Sequence, residues 1–173
     1  MMRIIVAGSR TVDEEQVRTA LRLCPWIGFV TAVISGTAQG ADSFGELWAE
    51  ERGIELIRLP ADWATYGRRA GPMRNAMMAE RGDGLVAVWD GESAGTKNMI
   101  NNAKKRGLRV AIYRTDTREL VRIDASGPIA AKWENAEERA AIIEHSGDGV
   151  TRAEAERAAG AIARDETDNS TSG

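Results

Sequence analysis

Five short runs of β-branched and apolar residues, at 3–7, 31–35, 54–59, 85–89 and 108–113, recur along the chain with helix-patterned segments between them. This rhythm constrains the fold more than any other feature, because strands joined by helical crossovers build a parallel sheet. Ile4-Ile5-Val6-Ala7 and Leu85-Val86-Ala87-Val88 are continuously apolar rather than alternating, as strands buried on both faces are. Helices must then cover both sides of the sheet. The fold expected is α/β, a Rossmann-like three-layer sandwich with a mostly parallel five-stranded sheet. Residues 119–123 offer a possible sixth strand, and 173 residues suffice for a real core.

Helix boundaries carry their own signals. Asp13 with Gln16, and Ser43 with Glu46, have the spacing of capping boxes, while Gly53 and Gly107 stand where helices should stop. Met73, Met77 and Met78 fall at helical spacing and read as core contacts. After Tyr113 the pattern changes, and the Ser126-Gly127-Pro128 break sets a domain boundary. The organisation expected is a domain at 1–125, a helical appendage at 126–164 and a disordered polar tail at 165–173. The appendage reads equally as a docked helix pair or as an oligomer or partner contact.

Charge and cysteine usage exclude several classes. The formal net charge of −3 argues against a general nucleic-acid scaffold, which needs a basic face to displace counterions, so DNA is not an expected partner. Cys24 is the single cysteine, which rules out an internal disulfide or a thiolate metal site, and its apolar neighbours mark it as a small hydrophobe. Neither a metal nor a resident cofactor is implied. Met1-Met2-Arg3 leads directly into a strand without a signal-peptide pattern, and no apolar run has membrane-spanning length. A cytoplasmic protein is expected. His145, the single histidine, falls in the appendage and is not assigned to catalysis.

The chemistry concentrates in loops. Gly8-Ser9-Arg10-Thr11, Ser35-Gly36-Thr37-Ala38-Gln39-Gly40-Ala41-Asp42 and Asp90-Gly91-Glu92-Ser93-Ala94-Gly95-Thr96 each follow a strand and open into a helix. With strand order 3-2-1-4-5 they share one edge at the point where the winding reverses, where such sheets bind ligands. Glycines admit close backbone approach, helix N-termini attract anions, and Ser9, Thr37, Ser93 and Thr96 add hydroxyl groups. None of the loops matches GxGxxG or GxxxxGK[ST], which disfavours dinucleotide dehydrogenases and P-loop nucleotidases. The segment at 60–75 adds Trp63, Tyr66, Arg68, Arg69, Arg74 and Asn75. Arginine can hold phosphate bidentately; Trp63 and Tyr66 can stack on a base or pack on the sheet edge.

At these residues the sequence resembles the SLOG superfamily, and most closely its YspA / cpYpsA-related branch, over about residues 2–113. The resemblance rests on Val6-Ala7-Gly8-Ser9-Arg10, the 35–42 loop, Pro60-Ala61-Asp62-Trp63, Gly71-Pro72-Met73-Arg74-Asn75 and the segment from Trp89 to Thr96. It implies a Rossmannoid domain that senses or processes nucleotides or their derivatives, and commonly a homodimer or higher homo-oligomer. The superfamily includes the LOG phosphoribohydrolases, whose catalytic arginine matches Arg74. Their glutamate, in a PGGxGTxxE motif, has no counterpart: with Gly95-Thr96 aligned, its position holds Met99. A thioether neither stabilises an oxocarbenium-like centre nor orients water.

The function expected is therefore binding of a nucleotide-derived small molecule, ADP-ribose-like or a cyclic nucleotide signal, as sensor or sequestering protein. The ligand-binding residues are Gly8, Ser9, Arg10, Ser35, Gly36, Thr37, Gly40, Asp42, Arg74, Asn75, Asp90, Gly91, Ser93, Gly95 and Thr96. The alternative is a nucleotide N-glycosidase or base-exchange enzyme, with Arg74 and a substitute carboxylate as catalytic residues. Asp90 ranks first for that role, because it leaves the end of the fourth strand, and Asp42 is read as a possible helix cap. The tail segments at 141–144 and 149–159 look similar to helical tails on phage and mobile-element proteins.

Overall fold

The computed structural model describes residues 1–123. The expected appendage and tail, and His145, lie outside the described residues. The elements are β1 (Met2–Gly8), α1 (Glu14–Leu23), β2 (Val30–Ser35), α2 (Ala41–Glu51), β3 (Glu55–Arg58), α3 (Trp63–Tyr66), α4 (Ala70–Arg81), β4 (Gly84–Trp89), α5 (Ala94–Lys105), β5 (Arg109–Arg114) and β6 (Glu119–Ile123). They form one six-stranded sheet in the order β3-β2-β1-β4-β5-β6.

The first five strands are parallel and in the order expected. The sheet is one strand larger than five: β6 pairs antiparallel with β5, from Arg114↔Glu119 to Val110↔Ile123. The physical reason is the connection. Residues 115–118 are too few for a crossover, and a tight turn returns a strand only antiparallel. Arg118 closes the turn with φ +59, its N–H donating to the Arg114 carbonyl at 2.8 Å.

Alternation along the buried strands divides the core between the two faces. Ile4, Val6, Val33, Val86, Val88 and Ala111 pack with Val17, Leu21 and Trp48 of α1 and α2. Ile5, Ile34, Leu85, Ala87, Val110 and Ile112 pack with Met78, Met99 and Ile100 of α4 and α5. Cys24 is buried in the first cluster, as its neighbours foretold. Of the three methionines read as core, only Met78 is buried. Met73 and Met77 lie four apart on the outer face of α4 and are 37% and 44% exposed.

Helix ends show which local signals govern. The Asp13/Gln16 capping box forms in both directions, and Gly53 and Gly107 take positive φ past α2 and α5. The Ser43/Glu46 box does not form. α2 begins at Ala41 with Gly40 at its N-cap, so Ser43 is already inside the first turn and its Oγ donates back to the Ala38 carbonyl at 2.9 Å. Glu46 instead accepts from Ser35 Oγ at 2.6 Å and from Arg58 Nε at 2.7 Å.

Candidate functional site

The loops after β1, β2 and β4 meet at the carboxyl edge of the sheet, beside the junction of β1 and β4 where the winding reverses. Their closeness depends on missing side chains. A Cβ on Gly8 would stand 2.1 Å from the Val88 carbonyl oxygen, and one on Gly40 2.6 Å from that of Ser9. Gly40 also has φ +80, open to glycine at little cost. The first two loops are thereby pressed together.

Several hydroxyls expected to meet a ligand are spent on holding the loops. Ser9 is buried; its N–H donates to the Val88 carbonyl at 2.9 Å, and its Oγ accepts from Asp90 N at 3.2 Å. Ser93 caps α5, accepting from Thr96 N at 3.4 Å and Thr96 Oγ1 at 3.0 Å. Ser35 Oγ, besides donating to Glu46, accepts from Thr37 N at 3.0 Å. Thr37 and Gly95 are exposed, and nothing stands within 4 Å of a Cβ built on Gly95. Thr37 holds φ +60, a left-handed conformation that costs a β-branched residue on the order of 1–3 kcal/mol.

A buried charged pair lies behind the second loop. Asp42 is no helix cap: its Oδ2 accepts from Gly36 N at 2.9 Å and Ala38 N at 3.4 Å, bracketing the strained Thr37. Arg74 reaches in from α4. Its Nη1 donates to the Gly36 carbonyl and stands 3.8 Å from Asp42 Oδ2, and its Nε donates to Asn75 Oδ1 at 3.1 Å. Asn75 in turn donates to the Gly95 carbonyl at 3.2 Å and to Asn98 Oδ1 at 3.0 Å. One network thus joins the second loop, α4 and the start of α5. Asn98 escaped the sequence reading; Asn98 and Asn102, four apart on one helix face, were its only signal.

Burial pushes the Asp42 carboxyl up to about 6, with Glu46 acting in the same direction, while Arg74 and the two backbone donors hold it down. Burial likewise lowers Arg74; the Asp42 charge opposes this and the positive charge of Arg10 reinforces it. Arg10 is exposed and forms no ion pair among the described residues. Two guanidiniums therefore share an edge with one buried carboxylate.

Asp90 has a different environment. Burial would raise its carboxyl, but donors from Ser93, Glu92 and Ser9 outweigh it and bring it below the usual range. Its Oδ1 accepts from Glu92 N at 2.9 Å and Ser93 N at 2.8 Å, turning the chain into the α5 cap around Gly91 at φ +85. Position 99 is closed to solvent chemistry: Met99 is 1% exposed within the α4–α5 core. Trp63 and Tyr66 remain 55% and 47% exposed rather than packed into the sheet edge. Among the described residues no His, Cys, Asp and Glu group could hold a metal, and no helix is long and apolar enough to cross a membrane.

A doubly wound α/β domain with its polar loops gathered at the switch point is the class that this geometry defines. The chain belongs to the YspA, cpYpsA-related SLOG family, whose model matches residues 2–66. It is 34% identical over 123 residues to the Gene 61 protein of Mycobacterium phage D29, covering 64% of this chain and 94% of that protein. Among solved structures it is similar to DNA processing protein A (DprA) from Streptococcus pneumoniae, with a TM-score of 0.51 at 15% identity. That match covers 64% of this chain and 49% of the DprA chain, and it speaks for the fold alone.

Proposed function

We propose that the chain binds a nucleotide or nucleotide-derived small molecule, ADP-ribose-like or a cyclic nucleotide signal, and acts as a sensor or sequestering protein. The carrying observation is that Arg74 stands 3.8 Å from the buried Asp42 carboxylate behind the second loop while the exposed Arg10 of the first loop is near enough for its charge to act on Arg74. A phosphate relieves the repulsion of the two guanidiniums, and the positive ends of the helices that begin at these loops favour an anion there. Family membership supports a nucleotide-related ligand. Assembly as a homo-oligomer stays part of the proposal, resting on the family resemblance.

Calorimetry with AMP, ADP-ribose and cyclic AMP tests the reading. Wild type binds at least one of them, and Arg10→Ala weakens that binding about tenfold, the loss of one charge-assisted contact. Absence of binding at near-millimolar ligand overturns it.

One observation favours the second reading, a nucleotide N-glycosidase or base-exchange enzyme. Burial raises the Asp42 carboxyl to about 6, nearer neutrality than Asp90, although the group is only 3% exposed behind the second loop. Against it, the helix position that carries the glutamate in LOG enzymes is apolar and buried here. Chromatographic release of free base from AMP or NAD, abolished in Asp42→Asn, would establish turnover; intact nucleotide leaves binding as the function.

A further inference from the structure

Trp63 opens α3, a single helical turn closed by local hydrogen bonds. Asp62 caps it, accepting from Thr65 N at 3.0 Å, and Trp63 N donates to the Ala61 carbonyl at 3.1 Å. The strand before it is anchored to the second loop, Leu59 N donating to the Ser35 carbonyl at 2.8 Å. The connection that leads into α3 is thus tied to the start of the 35–42 loop.

The ring sits against the start of α4: its Cη2 lies 3.3 Å from where a Cβ on Gly71 would stand. Gly71 and Arg74 are three residues apart on α4, neighbours on one face at about 5–6 Å between Cβ positions. From that face Arg74 reaches the Gly36 carbonyl. Trp63 is 55% exposed, whereas Trp26 and Trp48 are 2% exposed in the core. A large aromatic surface, open to solvent, therefore packs on the first turn of the helix that carries Arg74, the residue that braces the 35–42 loop.

We infer that Trp63 is the platform on which the base of a bound nucleotide stacks, with the phosphate directed toward Arg74 and Arg10. The inference rests on the nucleotide-binding reading and adds to it the residue that reads the base. Charge complementarity selects the occupant: a ligand both aromatic and anionic satisfies the indole and the two arginines together. Because every base offers a π-face, the platform confers preference for nucleotides over sugar phosphates without choosing strongly among bases. A protein partner docking on Trp63 would have no need of the arginines.

The test compares full-length wild type, Trp63→Ala and Trp63→Phe by calorimetry with AMP, ADP-ribose and the base-free ribose 5-phosphate, with thermal melting of all three proteins. Trp63→Ala loses about tenfold in affinity for AMP and ADP-ribose, a typical stacking contribution, and Trp63→Phe stays within about threefold of wild type. Ribose 5-phosphate binds all three proteins alike, and the melting temperatures agree closely. Unchanged AMP affinity in Trp63→Ala overturns the inference while leaving the nucleotide reading intact. So does an equal loss for AMP and ribose 5-phosphate, which marks a structural effect. A wild type that binds none of the three overturns the nucleotide reading itself.

Discussion

The Arg74 guanidinium occupies the space that a side chain on Gly36 would need: a Cβ there would stand 1.9 Å from Nη1. The loop and a helix residue 38 positions further along the chain are thus fitted to each other, glycine making room for arginine and arginine holding the glycine carbonyl. Replacing Gly36 by Ala must expel the guanidinium, the flexible end of a long side chain. Gly8→Ala meets backbone instead, the Val88 carbonyl at 2.1 Å. Gly36→Ala is expected to cost about 1–2 kcal/mol and Gly8→Ala about 3 kcal/mol or more, read from urea midpoints. Gly36→Ala keeps the fold and loses nucleotide affinity.

Asp42 sets a pH dependence of stability. Its carboxyl rises from 3.8 to about 6 on folding, so between these values the native state holds a proton that the unfolded chain has released. The contribution is greatest below pH 4 and is lost as pH rises toward 6; above that the ionised group weighs against the fold by about 3 kcal/mol. Asp42→Asn lacks this component. The stability of the variant relative to wild type should increase from pH 4 to pH 7, measured by denaturant unfolding at each pH; a flat difference contradicts the environment described for Asp42.

Asp90 separates structural from catalytic roles. Its Oδ1 accepts two backbone N–H groups ahead of α5, and an amide oxygen can do the same. Asp90→Ala is expected to lower stability by about 1–2 kcal/mol and Asp90→Asn to recover most of it, as thermal melting will show. Any release of base from AMP should persist in Asp90→Asn. Its abolition in a folded variant would restore Asp90 as a catalytic group.

Thr37 carries strain that glycine relieves. At φ +60 and exposed, it makes no packing contribution that Gly would forfeit, so Thr37→Gly should stabilise the domain by about 1 kcal/mol despite the greater freedom of the unfolded chain. An upward shift of the melting temperature checks this. Weaker nucleotide binding in the same variant would show that the strain positions the loop for its ligand.

What could be read in advance was what local chemistry dictates. The parallel strands, the Asp13/Gln16 box and the stops at Gly53 and Gly107 depend on neighbours in sequence, and all are found. Ser43 and Glu46 had equally good spacing, but the start of α2 is set by Gly40 against Ser9 and Arg10, a contact between distant segments. The site was legible as a set of loops and not as an arrangement. Ser9, Ser93 and Thr96 have the right groups for a phosphate, yet their hydrogen bonds are used within and between loops. Nothing in the sequence distinguishes a hydroxyl facing a ligand from one facing a neighbouring turn. Met73 and Met77 erred similarly, because helical spacing identifies a face without saying which way it looks.

Gly40 finally bears on how this edge can be altered. With no side chain between it and the Ser9 carbonyl, the segments bearing Arg10 and the head of α2 form a single interlocked part. Lengthening either one alone would prise it from the other, so grafting a new specificity here calls for exchanging the pair as a cassette.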